Sequence, residues 1–340
     1  MFCNQTRITL ELSMLRALLV AALSSLAGAA PGLAVFVPGR LYVGGQWFKG
    51  SLNNDAIVEF DPLTGNSRLF WESPYRRGLI GLEFTPDGSR LRASFYAQSR
   101  VFELDGDGNA AQILGFSDGV TFADGMAYAP NGDFYFVNAG PGQIMRIPAS
   151  GGPPSVFADA ADGVAVGSGG IIDFGPSGDL YYARRLFGDG RIYRVNPAGV
   201  GTLFHDFPSG VSTASMTIDS AGNLFAMTAA EEPAGGLWRF SNENSAAASL
   251  IAPGFGSSPA HLTIRMSVDE SRVILAGNSA AFVESVPVGG ASAWRFDGYV
   301  FVPEFDLVYG NGADVYVPEP AALPFLILSV LVLFARNGRR

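Results

Sequence analysis

One segment of this sequence is written four times. Gly125-Met126-Ala127-Tyr128-Ala129-Pro130-Asn131-Gly132-Asp133-Phe134-Tyr135-Phe136 is matched by Ile171-Ile172-Asp173-Phe174-Gly175-Pro176-Ser177-Gly178-Asp179-Leu180-Tyr181-Tyr182. Gly81-Leu82-Glu83-Phe84-Thr85-Pro86-Asp87-Gly88 and Ser215-Met216-Thr217-Ile218-Asp219-Ser220-Ala221-Gly222-Asn223-Leu224-Phe225 follow the same plan. The turn glycines Gly88, Gly132, Gly178 and Gly222 stand 44, 46 and 44 residues apart. A period of ~40–50 residues is that of one four-stranded propeller blade, and such a unit buries its apolar faces only by stacking on copies of itself.

Each unit reads as strands. An apolar strand ends in a Pro/Asn/Asp/Gly turn, and a second strand rich in Tyr, Phe, Leu and Val follows. Third strands alternate apolar side chains around an Arg: Gln143-Ile144-Met145-Arg146-Ile147, Arg191-Ile192-Tyr193-Arg194-Val195 and Gly236-Leu237-Trp238-Arg239-Phe240. Period 2 is the mark of a half-buried strand. A further Gly turn and an outer strand such as Gly201-Thr202-Leu203-Phe204 complete the unit.

The flanks of the array fit the same template. Residues 56–65 read as a third strand and turn, and residues 282–290 match 144–152. Residues 305–316, with Gly310-Asn311-Gly312 at the centre, read as a first-and-second strand pair that completes the blade begun near Leu41-Tyr42-Val43. Counting third strands at Ile57, Val101, Ile144, Ile192, Leu237 and Val283 predicts an all-β, six-bladed β-propeller over about residues 35–317. The count becomes seven if the terminal pair stands as its own blade.

Composition supports a packed ring. Of 340 residues, 48% are hydrophobic and 26 are Phe, enough for a core, which excludes a disordered chain. The 43 glycines suit repeated hairpin turns. Cys3 is the only cysteine, so no disulfide framework exists. The net charge of −9 argues against nucleic acid as a partner.

Both ends read as targeting segments. Residues 1–29 carry Arg7 and Arg16, an apolar stretch from Leu18 to Leu23, and Ala27-Gly28-Ala29 as a cleavage site for signal peptidase. Met14 is a second candidate start. At the other end Val317-Pro318-Glu319-Pro320 precedes the apolar run 321–335, and Arg336, Arg339 and Arg340 close the chain. The run is shorter than the ~20 residues of an ordinary membrane span. Removing both ends takes away five Arg and two Glu, so what remains is more acidic still.

The tripeptide, short apolar segment and basic end over residues 318–340 resemble the PEP-CTERM sorting signal. Asn337 and Gly338 interrupt the usual basic run. The resemblance implies export from a Gram-negative bacterium, transient inner-membrane insertion and processing by exosortase. It also implies a final place in the cell envelope, at the cell surface or in the extracellular matrix, with exopolysaccharide or another surface protein as partner.

The repeats themselves resemble the six-bladed, calcium-dependent propellers of the NHL and gluconolactonase-like families. The best match is Ala123-Asp124-Gly125-Met126-Ala127 with the Asn131-Gly132 turn and Asn138. That resemblance implies a channel metal at Asp124, calcium or zinc, that polarises a lactone carbonyl and activates water. At the matching position the other units offer Ile80, Gly170, Ala214 and Glu304, so only Glu304 could join Asp124 as a metal ligand. Asp105, Asp107 and Asn109 alternate oxygen ligands like the start of a calcium loop, but Phe116 stands where a bidentate Glu belongs, and the stretch also fits a hairpin turn. His205 and His261 are too far apart in sequence for a zinc pair, and no Gly-x-Ser-x-Gly elbow occurs. Arg76-Arg77 and Arg184-Arg185 read as exposed loop charges, and Trp47, Trp71, Trp238 and Trp294 as blade core.

Three functions are compatible with these residues. One is a non-catalytic, exported binding or matrix module. The second is a metal-dependent gluconolactonase-like hydrolase with Asp124 as the candidate catalytic residue. The third is a structural envelope component without a discrete ligand.

Overall fold

The computed structural model describes residues 36–315 except 50–51, 77, 168, 185–188, 230–234, 254–262, 268, 278–281, 292–294 and 300–305. Six four-stranded antiparallel sheets make up this part of the chain. Blade 1 contains β1 (Leu41–Lys49), β2 (Leu52–Phe60) and β3 (Ser67–Glu72). Blade 2 is β4 (Leu79–Phe84), β5 (Leu91–Phe95), β6 (Arg100–Leu104) and β7 (Ala110–Leu114). Blade 3 is β8 (Ala123–Tyr128), β9 (Phe134–Asn138), β10 (Gln143–Ile147) and β11 (Ser155–Ala158).

Blade 4 is β12 (Gly170–Phe174), β13 (Leu180–Arg184), β14 (Arg191–Val195) and β15 (Gly201–Asp206). Blade 5 is β16 (Ser212–Ile218), β17 (Leu224–Ala229), β18 (Gly236–Phe240) and β19 (Ala248–Pro253). Blade 6 is β20 (Thr263–Met266), β21 (Arg272–Gly277), β22 (Phe282–Pro287) and β23 (Arg295–Tyr299). The last strand, β24 (Asp306–Val315), returns to blade 1 and pairs with β1, giving the order β24-β1-β2-β3. The fold is the expected all-β, six-bladed propeller, and the terminal segment belongs to blade 1 rather than to a blade of its own.

The closing strand differs from the sequence reading. Asp306–Val315 do not form a hairpin: β24 is one strand, with Gly44 opposite Gly312 and Gly45 opposite Gly310. The Gly310-Asn311-Gly312 stretch is a bulge in that strand rather than a turn. A long partner, β1, offers a continuous ladder, and extending it satisfies more backbone groups than a two-strand excursion would.

The turn residues behave as their types dictate. The N–H of Gly132 donates to the Ala129 carbonyl, and that of Gly178 to Gly175, at 2.8 and 2.9 Å. The third-strand arginines are not loose surface charges. Arg146 donates from Nε to Asp133 Oδ2 at 2.8 Å, Arg194 to Asp179 Oδ2 at 2.6 Å, and Arg239 from Nη2 to Asn223 Oδ1 at 3.1 Å. The partner in each case is the residue directly after the turn glycine, so one turn fixes two strands. Arg184 likewise lies on β13 and meets Asp189 at 3.3 Å, which corrects its reading as an exposed loop charge.

The ladder between third and fourth strands breaks at the same place in every blade: after Ile57, Val101, Ile144, Ile192, Leu237 and Val283. A bulge there raises the local right-handed twist, which a blade fanning from an axis needs.

Each buried apolar cluster lies between blades. Blades 3 and 4 share Tyr135, Val137, Ile144, Ile172, Tyr182 and Val195. Blades 1 and 2 share Tyr42, Ile57, Leu82, Phe95 and Phe102. Trp71 and Trp238 pack against such clusters, as expected of blade core. A fully buried side chain of this size contributes about 2 kcal/mol, so the seams carry the stability of the ring.

Candidate functional site

The sequence directs attention to Asp124, at the start of the inner strand β8. The register of β8 shifts between Ala123 and Met126, which takes Asp124 and Gly125 out of the regular ladder with β9. At Gly125 a side chain would collide with the Gly170 carbonyl, so glycine lets blade 4 approach closely. Asp124 is 1% exposed, and its Oδ2 accepts the Gly170 N–H at 2.7 Å. Its charge adds to burial in pushing the Tyr96 and Tyr182 phenols upward. Tyr182 in turn accepts the Gly167 N–H at 3.0 Å and donates to the Gly169 carbonyl at 3.2 Å.

The same device recurs around the ring. Asp55 Oδ2 accepts the Gly78 and Leu79 N–H groups at 2.7 and 3.0 Å, joining blade 1 to blade 2. Ser99 Oγ accepts the Phe122 N–H at 2.9 Å between blades 2 and 3. Asp173 Oδ2 accepts the Ile218 N–H at 3.0 Å between blades 4 and 5, and Ser215 Oγ accepts the Ile264 N–H at 3.0 Å between blades 5 and 6. An inner-strand N–H has no ladder partner on its axial side, and burying it unpaired costs about 1–3 kcal/mol. A short acceptor from the preceding blade removes that penalty. Asp124 is one member of this series.

Among the described residues, five inner strands approach closely around the axis. Ile80, Leu82, Met126, Ile171 and Ile172 line it, and the free space among them is about 20 Å³. That is room for about one water molecule. Arg265 of β20 also lies here. It donates from Nη2 to the Leu82 carbonyl at 3.3 Å and approaches Glu83 Oε2 at 3.6 Å, tying blade 6 to blade 2. The sequence does not point to Arg265, because β20 lacks the glycine turn (Gly88, Gly132, Gly178, Gly222) that follows β4, β8, β12 and β16.

Asp105 is occupied by its own turn. Oδ1 accepts the Asp107 and Asn109 N–H groups, each at 3.0 Å, and Oδ2 accepts from the Asn109 amide at 3.0 Å. The Asn109 amide and those N–H groups, with Arg90 beside them, hold the Asp105 carboxyl below its ordinary range. Asp107 and Asn109 thus serve as donors to Asp105 in a hairpin. His205 packs against Phe207 and Phe240 with ring centroids 4.5 and 4.8 Å away, and burial lowers its pKa. Among the described residues no three His, Cys, Asp or Glu side chains converge on a point that could hold a metal ion.

Glu304 and His261 lie outside the described residues, as do residues 1–29 and the sorting stretch from Val317 through Pro318, Glu319 and Pro320 to Arg336, Arg339 and Arg340.

Polar chemistry gathers instead at the turn face of blade 3. Asp133, Tyr135 and Arg146 border a cavity of about 320 Å³ that opens between blades 3 and 4, walled by Phe157, Phe174 and Pro197. The sequence signal for it was present in the repeat itself: a Tyr two residues after the turn Asp, opposite an Arg on the next strand.

No family model matches the chain, and no curated protein does. Solved structures do. The crystal structure of a nidogen/laminin complex aligns with a TM-score of 0.62 at 12% identity, over 82% of this chain and 98% of that one. A streptogramin B lyase aligns with a TM-score of 0.48 at 14% identity, over 80% of this chain and 87% of that one. A catalytically inactive virginiamycin B lyase from Staphylococcus aureus with quinupristin gives 0.48 at 14%, over 77% and 86%. At these identities the likeness is one of fold: this chain shares a β-propeller architecture with the nidogen/laminin structure.

Proposed function

We propose that this chain is an exported propeller, processed by exosortase, that binds a partner at the cell surface or in the matrix and does not catalyse a reaction. The observation that carries this reading is the position of Asp124. A catalytic metal needs several converging ligands and an open position for water and substrate. Asp124 is 1% exposed and engaged with the Gly170 N–H, and among the described residues the space between the inner strands at Ile80, Met126 and Ile171 is about 20 Å³. The faces of the ring are then the surfaces available to a ligand. The nidogen/laminin neighbour, a propeller fold solved in a complex, supports the same use.

Export rests on the two terminal segments: signal peptidase would act after Ala29 and exosortase near Pro318-Glu319-Pro320. Exopolysaccharide or another surface protein is the partner this route offers.

The test compares the full chain with a chain lacking residues 318–340 in an exosortase-bearing host. The intact chain is expected to lose mass at its C-terminus and stay with the envelope, whereas the shortened one escapes unprocessed. Equal mass and location of the two would overturn the sorting reading. Metal analysis and a lactone screen of the purified protein address catalysis. Stoichiometric calcium or zinc with lactone turnover, both lost in Asp124→Ala, would replace the binding reading by the hydrolase.

A further inference from the structure

Blades 4 and 5 meet around a carboxylate. Residues 241–247 connect β18 to β19, and Asn242 and Glu243 take φ values of 54° and 51°. That left-handed pair, unusual for residues with side chains, turns Glu243 back toward blade 4. Its Oε2 accepts the Ser177 hydroxyl at 2.6 Å and the Tyr181 hydroxyl at 2.9 Å, while Oε1 takes the Ser177 N–H at 3.4 Å. Arg194 Nη2 lies 3.7 Å from Oε2, and the Glu243 side chain is 10% exposed.

Blade 3 presents the same set one seam earlier. Tyr135 stands opposite Arg146 in the ladder, as Tyr181 stands opposite Arg194. Arg146 is held by Asp133 as Arg194 is held by Asp179. Tyr135 meets Phe157 edge-on at 4.9 Å and 81°, and Tyr181 meets Phe204 at 5.1 Å and 83°. Asn131 occupies the turn position of Ser177.

The difference is in what fills the seam. In blade 4 the corresponding connection, residues 196–200, is shorter. The Asn196 side chain closes it by accepting the Ala198 and Val200 N–H groups, each at 3.0 Å. No acid is delivered, and Pro197 borders the cavity of about 320 Å³ instead. Tyr135 is 5% exposed, its ring is held between Phe157 and Phe174, and its hydroxyl stands in the field of Arg146 and Asp133 at the cavity they border. Arg146, with its side chain 42% exposed, keeps donors free of Asp133.

We propose that the cavity between blades 3 and 4 binds a small organic acid, whose carboxylate sits where Glu243 sits one seam further on. The Tyr135 hydroxyl and the Arg146 guanidinium meet the carboxylate. Phe157, Phe174 and Pro197 cover an apolar or ring-shaped body, a combination of aromatic wall and few polar groups that is usual for ligand pockets of ~300 Å³ and above. A hexuronate and an aromatic acid both carry this chemistry. The site rests on the reading of the ring as a binding module.

The test is calorimetric titration of the purified full-length protein with sodium glucuronate and sodium benzoate, against glucose and benzyl alcohol as uncharged controls. One acid is expected to bind at one site per chain and its control not to, which also identifies the source. Tyr135→Phe keeps the buried ring and removes one hydrogen bond to a charged group, weakening the acid about tenfold. Glu243→Ala empties the sister seam and raises the number of sites from one to two. Acid and control binding alike, no binding at tens of millimolar, or an unchanged affinity in folded Tyr135→Phe would each overturn the proposal. A single site in folded Glu243→Ala would do so too. None of these outcomes touches the sorting experiment, and a chain that fails to be processed still reports on the acid.

Discussion

Asp124 of blade 3 holds the Gly170 N–H of blade 4 at 2.7 Å, with both residues buried. The bond makes a carboxylate part of the joint between two sheets. Replacing Asp124 by Ala strands that N–H, and the expected cost is about 1–3 kcal/mol. Asp124→Asn keeps an acceptor oxygen and is expected to cost less. Urea unfolding of the three proteins gives the order directly, and an Asp124→Ala protein as stable as the parent would remove the residue from the series of seam acceptors.

Two glycines separate backbone strain from steric conflict. Gly151 and Gly199 have φ values of 84° and 87°. A methyl group on Gly151 would meet nothing within 4 Å, whereas on Gly199 it would run into the Phe157 carbonyl of the preceding blade. Gly151→Ala therefore carries only the left-handed penalty of about 1–2 kcal/mol. Gly199→Ala is expected to lose more than that, because a backbone atom must also move. Thermal melts of the pair check the ranking.

Acid should loosen the ring at its turns. The Ser267 hydroxyl, then Ser271, hold Asp269 at about 2, down from an ordinary 3.8. Thr64 does the same for Asp61, Thr85 for Asp87, Asn109 for Asp105 and Arg191 for Asp189, in each case downward. A carboxyl with a depressed folded pKa gives stability that is complete above its unfolded value and lost as pH falls through the folded one. Stability is thus expected to fall as pH drops from about 4 toward 2. His205, also depressed, adds a smaller loss as pH falls below about 6.5. Denaturation midpoints across this range, and their flattening near neutrality in His205→Phe, test both signs.

Strand β24 is the latch of blade 1. Ending the chain at residue 305 removes it, and β1 then presents a free edge to solvent. The expected product is an aggregating species without a cooperative melt, visible by size exclusion and by circular dichroism during heating. A monomeric, cooperatively melting protein would show that the ring holds without closure.

The blade count and the identity of every third strand were legible because the repeat carries its own punctuation. Each Pro-x-Gly turn is followed by an aromatic strand, and local residue types decide both. The terminal strand reads as two in the sequence, because Gly310-Asn311-Gly312 has the composition of a turn, and only the length of β1 across from it makes it a bulge. Asp124 was visible as an unusual residue on an inner strand, but its role was not. A hydrogen bond between residues 46 positions apart depends on how blades stack, which no local pattern encodes. Tyr135, Asp133 and Arg146 stood in plain view within the repeat. Nothing in the repeat sets them apart from Tyr181, Asp179 and Arg194, and the difference lies in Glu243, which another blade delivers.

The bulge after each third-strand apolar residue reaches beyond the shape of a blade. A ring of six sheets ends in six outer strands, each an edge on which another strand could add. On a straight ladder each would be a landing strip for a strand from another copy, and crowded copies would zip into fibres. The kink falls within a few residues of the edge, at Ile144–Met145 and Ile192–Tyr193 for instance, so an incoming strand finds no long flat stretch to copy. Crowded rings can therefore press against one another and still part.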